Sequence, residues 1–528
     1  MTTIYQIYPR SFQDSNGDGV GDLRGIVDRL PYLAKLGVDM VWISPFFLSP
    51  QKDFGYDVSD YRTVDPLFGS NADLAQLIAD AAQHNLGIMV DLVLAHSSNQ
   101  HPWFLESRAS RDNPKADWYV WADPLPDGNV PNNWQSVFGG SAWRWEPRRQ
   151  QYYLTHFLGE QPALNLYAPA VREELLAVVE YWLQQGVKGF RFDAIHFAHY
   201  DPQLRNNPPA PRGSTSGALS DSPFGMQDHV YDLGQPATID FIRDIRKVAD
   251  RYPGALLLGE VGTVEIARTY VGADKFDLSY SFNMLDIREL VTVGLFREKL
   301  AGGLAGFLPG TSCWALSNHD APRHVTRMGS QDPSHRAAFA KMIAAVVLTL
   351  PGGLCLYQGE ELGLPTAELR FEDLVDPYDI AFYPDHVGRD GARTPMPWVK
   401  DAANAGFSTA ANTWLPVDAA QQNLAVDSQE EDPQSTLNHY RRLIAWRKNH
   451  PWIKKATVDS SNSNEQVLQL EYRHGNQTML GLFNFAAESV ELKGLGGLGT
   501  VEWQEGVSVQ NDTVTLQPFA FATFTQAA

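Results

Sequence analysis

From residue 4 the chain alternates short apolar runs with stretches whose apolar positions recur every three or four residues. Residues 4–8, 38–43 and 87–93 read as strands, with amphipathic helices at 23–36 and 72–84 between them. After residue 167 the alternation resumes: helix 170–185, strand 188–194, helix 238–251, strand 255–261. Strands at 276–282, 312–317 and 353–357 follow, with helices at 335–350 and 436–447. About eight strands separated by helices predict an α/β chain whose parallel strands close into a (β/α)8 TIM barrel.

The period fails over 96–167, where Trp, Pro, Asn and Gly crowd together, and this stretch reads as a subdomain inserted after strand three. From residue 457 the pattern becomes i, i+2 alternation, which predicts an all-β sandwich. The expected division is barrel 1–95, inserted subdomain B 96–167, barrel 168–456 and C-terminal sandwich 457–528. Long loops are expected at 202–222 and 361–434, and there is no internal repeat or low-complexity tract.

Two charges interrupt the apolar strand Lys188-Gly189-Phe190-Arg191-Phe192-Asp193-Ala194. Arg191 and Asp193 stand two apart, so both face the same side, and a buried charged pair is costly without a purpose. It is either a structural ion pair or a carboxylate nucleophile beside an arginine. Catalytic side chains of such barrels sit at the C-terminal strand ends. Glu260 ends strand five and Asp320 follows strand seven in Ser317-Asn318-His319-Asp320. With Asp193 these make three carboxylates converging on one barrel mouth, which suits glycoside hydrolysis with a nucleophile, a proton donor and a transition-state stabiliser. A metal site is the competing use, and positive charge from His96, His319 and Arg191 disfavours it.

Composition narrows the partners. The net charge of −20 argues against a phosphate-backbone partner and says little about a neutral substrate. No apolar run reaches the roughly 20 residues that span a bilayer. Met1-Thr2-Thr3 runs straight into the first strand without a secretory leader, which predicts a cytoplasmic monomer or homodimer. The two cysteines, Cys313 and Cys355, lie in apolar strands and read as reduced core residues.

The segments 91–96, 189–193, 259–261 and 317–320 resemble, in order, the four short motifs of glycoside hydrolase family 13, the α-amylase superfamily. With Gln161-Pro162-Ala163-Leu164-Asn165 and Arg389-Asp390-Gly391-Ala392-Arg393-Thr394-Pro395-Met396-Pro397-Trp398, the likeness points to its α-glucosidase and oligo-1,6-glucosidase branch. It implies that Asp193 attacks the anomeric carbon beside Arg191, Glu260 donates the proton, and Asp320, His96 and His319 hold sugar hydroxyls. Tyr56, in Asp53-Phe54-Gly55-Tyr56, would stack under the terminal glucose, and Asp53 would pair with Arg393 to close the pocket. Phe138 and Phe157 are candidate wall aromatics. The implied activity is a retaining exo-α-glucosidase with transglucosylation to acceptors.

The likeness implies a calcium or magnesium site in the first loop, with Asp14, Asn16, Asp18, Asp22 and the Val20 carbonyl as ligands of a structural ion. Those oxygens fall at alternate positions around glycines, as in an EF-hand loop; plain turns use the same residues. Ala95 stands where the family's first motif carries a calcium-ligating Asn, so no calcium is expected between barrel and insert. Ala194, directly after the nucleophile, stands where α-1,6 enzymes of the branch carry Val. Its small size predicts α-1,4 substrates, mainly short ones, because the loop at 202–222 would crowd the entrance. Rival readings are a sugar isomerase or trehalose synthase, whose Arg-Leu-Asp-Arg-Asp-like loop is missing, and a non-catalytic sugar-binding relative.

Overall fold

The computed structural model describes residues 2–211, 222–330, 332–384, 388–495, 498–510 and 512–526. Its centre is a parallel sheet of eight strands: β1 (Thr3–Ile7), β2 (Met40–Ile43), β3 (Gly87–Val93), β4 (Gly189–Asp193), β5 (Leu256–Val261), β6 (Leu278–Ser281), β7 (Cys313–Ala315) and β8 (Gly353–Tyr357). Hydrogen-bonded order runs β6-β5-β4-β3-β2-β1-β8-β7, and a parallel bridge from Ser279 to Ser312 joins the two ends. The sheet closes into the expected barrel.

Strand pleating sorts the side chains. In β4, Phe190 and Phe192 pack outward into the helix layer, while Arg191 and Asp193 turn inward. Below them Ile4, Met40, Trp42, Met89, Leu258, Cys313 and Cys355 plug the barrel, and both cysteines are buried free thiols.

The outer helices are α1 (Leu23–Asp28), α2 (Leu30–Leu36), α3 (Asn71–Gln83), α4 (Pro169–Gln184), α5 (Ala237–Ala249), α6 (Val293–Leu304), α7 (Arg336–Thr349) and α8 (Thr436–Asn449). The single helix expected over 23–36 is two helices that break at Arg29. Pro31 has no N–H to continue the ladder to Val27, whose carbonyl accepts from Arg29 instead. α7 is buried on nearly every face. It lies between barrel and C-terminal sheet, with Phe339 edge-on to Phe519 at 5.7 Å and the Thr349 hydroxyl 2.7 Å from that of Tyr472.

The C-terminal strands Thr457–Asp459, Val467–His474, Gln477–Asn484, Val490–Leu492, Thr500–Gln510 and Thr513–Gln526 form one antiparallel sheet. Leu468, Leu470 and Tyr472 join the barrel's core, and Leu480, Leu482, Leu516 and Phe524 build a core of their own.

Between β3 and α4 the chain leaves the barrel and forms a three-stranded sheet of Trp121–Ala122, Trp143–Glu146 and Gln151–Leu154. Trp134 and Trp143 fill its small core; Trp145 is exposed. Leu164 N–H donates to Ala95 O at 3.0 Å, so this excursion returns along the end of β3 and sets Phe138, Phe157 and Gln161 over the barrel mouth. Of the loop expected at 202–222, residues 212–221 lie outside those described. No described helix is long and apolar enough to cross a membrane.

Candidate active site

A cavity of about 630 Å³ opens at the C-terminal ends of the strands. Asp53, Tyr56, His96, Phe138, Phe157, Asp193, Glu260 and Asp320 line it, while Arg191, His319 and Arg393 stand behind them. All the residues expected at the sugar site therefore meet in one place.

Arg191 is fully buried and organises the floor. One terminal nitrogen lies 2.6 Å from Asp193 Oδ1 and 2.8 Å from Asp91 Oδ1; the other lies 2.5 Å from Glu260 Oε2. Asp91 also accepts from Trp42 Nε1 at 3.0 Å, and Glu260 accepts from Tyr280 OH at 3.0 Å. Three carboxyl groups thus share one guanidinium. The neighbouring Arg191 charge favours the ionised form of Asp193. Burial instead pushes the Asp193 carboxyl well up, with Arg191 opposing and the neighbouring acids adding to the rise. Burial likewise raises Asp91 to about 6. One guanidinium is thus shared among three buried acids, and this crowding adds to the rise of Asp193.

Ala194 follows the nucleophile position in a left-handed conformation, φ 37° and ψ 40°. The turn aims its N–H at Glu260 Oε2, 2.9 Å away. A non-glycine residue there carries strain, and Ala has the smallest side chain that could bear it.

His96 and His319 were expected to add positive charge. Burial drives both down to about 3, so both rings are neutral near pH 7. They act as hydrogen-bonding groups: His96 Nε2 lies 3.0 Å from Tyr56 O, and His319 is fixed between Gln6 Nε2 at 2.7 Å and Tyr56 OH at 2.6 Å. The Tyr56 and His319 rings stack at 5.4 Å.

The expected Asp53–Arg393 pair is not formed. Arg389 takes that place: it lies 3.2 Å from Asp53, 3.1 Å from Asp320 and 2.5 Å from Asp376. Arg393 pairs with Asp320 at 3.0 Å and donates from Nε to His319 O at 2.7 Å. Gln161 Nε2 adds a bond to Asp53 at 3.0 Å. Burial would raise Asp320, but His319, charged only at acid pH, together with Arg389 and Arg393 holds it well below the usual carboxylate range. Arg389 and Gln161 both lie in the runs quoted above, yet no spacing rule separates one arginine from another four residues away. Behind Arg389, the carboxylates of Asp376, Asp379 and Asp390 gather within 4.8 Å. Burial and Asp376 push Asp379 up to about 7.

The first loop is curled around Asp14. Its carboxylate accepts N–H groups of Asn16, Gly17 and Gly19 at 3.0, 2.7 and 2.8 Å, as well as the Ser408 hydroxyl. Asp22 caps α1 by accepting from Gly25 N and also bonds Ser15. Asp14, Asp18 and Asp22 are not among the described acidic groups whose oxygens lie within 4.8 Å of one another, so ligation needs the exposed Asn16 and Asp18 side chains to turn inward. Gly17 at φ 79° and Gly19 at φ 91° give the loop its curl, and the Gly19 N–H bond to Asp14 wraps it around that carboxylate.

The sequence model for the α-amylase catalytic domain matches residues 6–456, which takes in the barrel and its insert. The chain belongs to the α-amylase family. It is 49% identical over 493 residues to a probable α-glucosidase of Rhizobium meliloti, covering 92% of this chain and 89% of that one. It is 36% identical to the oligo-1,6-glucosidase of Parageobacillus thermoglucosidasius, covering 92% and 90%. Among solved structures, the α-glucosyl transfer enzyme XgtA superposes with a TM-score of 0.94 at 46% identity, covering 99% and 98% of the two chains. As an α-amylase-family glucosidase, the chain sets its carboxylates around a cavity that a glucoside can enter.

Proposed function

We propose that the chain is a retaining exo-α-glucosidase. It would release terminal non-reducing α-1,4-linked glucose from short substrates such as maltose and also transfer glucose to acceptors other than water. The observation that carries this reading is the clasp that Arg389 makes between Asp53 and Asp320, which we take to close one end of the pocket. A chain end fits such a pocket and a chain interior does not.

The chemistry runs in two displacements. Asp193 bonds to C1 of the glucose as the glycosidic C1–O bond breaks, and Glu260 gives its proton to the leaving oxygen. Water or another alcohol then gives a proton to Glu260 and bonds to C1, releasing Asp193 as the carboxylate. Arg191 grips both carboxyls through its two terminal nitrogens, an arrangement that supports the roughly 5–5.5 Å separation this mechanism needs. Asp320, kept ionised by its arginines, opposes the positive charge of the transition state. Neutral His96 and His319 hold hydroxyls, and Tyr56 presents its ring beneath the sugar.

The loop 14–22 would hold a Ca²⁺ or Mg²⁺ ion as a structural brace through Asp14, Asn16, Asp18, Asp22 and the Val20 carbonyl. That loop follows β1, away from the three acids, and no chemical step depends on it.

Proton NMR of the first glucose released from maltose tests the reading. α-Glucose is expected first. β-Glucose would reject double displacement, and failure to release glucose from any α-glucoside would reject the assignment.

A further inference from the structure

Tyr280, on β6, has no role in the two displacements, yet it touches the acid that serves both. It is the direct partner of Glu260 across the β5–β6 pair, and its side chain turns into the barrel. The ring lies against Trp42 and Phe282, at centroid distances of 6.2 and 6.3 Å. Its hydroxyl accepts from Arg191 Nη2 at 3.2 Å and donates to Glu260 Oε1 at 3.0 Å. A guanidinium has no acceptor, so of these two neighbours only Glu260 can take the phenol's single hydrogen. Burial pushes the phenol well above its ordinary range, with Arg191 opposing, so the hydroxyl keeps that hydrogen.

The two oxygens of Glu260 are held differently. Oε2 meets the Ala194 N–H at 2.9 Å and Arg191 Nη2 at 2.5 Å, so both its lone pairs face fixed donors. Oε1 has Tyr280 alone among the described residues. The proton that Glu260 gives away therefore sits on Oε1, the atom Tyr280 touches.

We infer that Tyr280 is a positioning residue for the first displacement, fixing Oε1 as the proton-carrying oxygen and tightening its hydrogen bond as the proton leaves. The inference rests on the reading of Glu260 as the acid and Asp193 as the nucleophile. While Glu260 is protonated, Tyr280 faces the oxygen of a carboxylic O–H, a weak acceptor. The proton then passes from Oε1 to the glycosidic oxygen, the C1–O bond breaks, and Oε1 takes up negative charge. The Tyr280 bond becomes charge-assisted at that moment. A contact stronger after proton transfer than before it lowers the barrier to that step. In the second displacement Oε1 takes a proton from water or another alcohol, and the same contact weakens again. Tyr280 thus favours bond cleavage over the return of the proton.

Tyr280→Phe in the full chain removes the hydroxyl and keeps the ring. Arg191, Asp193 and Asp91, the charged groups around Glu260, stay in place. Maltose and 4-nitrophenyl α-glucoside separate the step, because a leaving sugar needs a proton on its oxygen and nitrophenolate needs almost none. kcat/KM on maltose is expected to fall about three- to tenfold, and on the nitrophenyl glucoside less than about twofold. The alkaline limb of the kcat/KM profile on maltose should move up by about one pH unit. Equal losses on both substrates with an unmoved limb would leave Tyr280 a packing residue and overturn the inference, as would unchanged kinetics. Should Tyr280→Phe fail to fold, Tyr280→Met also lacks the hydroxyl and is read by the same substrate ratio and the same limb. A wild-type chain that releases glucose from neither substrate would instead reject the reading of Asp193 and Glu260 itself.

Discussion

Asp53 and Arg389 meet at 3.2 Å in the wall of the pocket, joining the loop after β2 to the long excursion after β8. The same guanidinium lies 3.1 Å from Asp320, so the group that holds Asp53 also sets the charge of an acid facing the sugar. Two segments more than three hundred residues apart in the chain act there as one surface.

Arg389→Ala should therefore harm binding and chemistry together. It strips Asp53, Asp320 and Asp376 of their shared cation, and breaking buried pairs of this kind costs about 3–5 kcal/mol. kcat/KM on maltose should fall on the order of 10²-fold or more, with a lower Tm. Unchanged kinetics would remove Arg389 from the sugar site.

Asp193→Asn should abolish turnover without unfolding the barrel. Removing the nucleophile is expected to lower kcat by about 10⁴-fold or more. Arg191 keeps Asp91 and Glu260 as partners, and the crowding of acids around it is relieved, so thermal denaturation should show a Tm at or above that of the wild type.

Ala194→Val tests linkage choice. A β-branched residue at φ 37° adds strain of about 1–3 kcal/mol and presses two methyl groups toward the leaving sugar. The expected result is a lower kcat on maltose and a relative shift in kcat/KM toward isomaltose by about tenfold. A wild type that already prefers isomaltose, or a variant with no relative shift, defeats this account of Ala194.

Glu360, buried in the turn after β8, should impose an alkaline limit on stability. Burial and the adjacent Glu361 push its carboxyl from 4.5 up to about 8. The folded state thus binds a proton that the unfolded chain releases. This contribution is full below about 4.5 and is lost as pH rises through about 8. Tm should fall between pH 6 and pH 9, and Glu360→Gln should flatten that fall. Asp379, raised to about 7, adds a smaller decline that Asp379→Asn would isolate.

Chelation tests the first loop. If a divalent ion braces residues 14–22, EDTA should lower Tm and added Ca²⁺ or Mg²⁺ should restore it by mass action. Elemental analysis of the untreated protein should find about one ion per chain. An unchanged Tm with no bound ion would mean that the Asp14 and Asp22 hydrogen bonds alone shape the loop.

Much of this protein is legible along the chain because strands and helices carry their own periods. The eight barrel strands fall within a few residues of their expected places, and the inward turn of Arg191 and Asp193 follows from strand pleating alone. The acids at the ends of β4, β5 and β7 could likewise be read, since barrel topology assigns strand ends to one face. Only the tertiary structure decided how charge is shared there. Whether a histidine is charged depends on how far it is desolvated, and burial leaves His96 and His319 neutral where the sequence suggested cations. Which arginine reaches Asp53 depends on the path of an irregular loop, and two arginines four residues apart have the same composition but different neighbours. The aromatics beside the cavity are the extreme case: Phe157, Phe197 and Phe224 come from separate loops with no shared period, and folding alone brings their rings together.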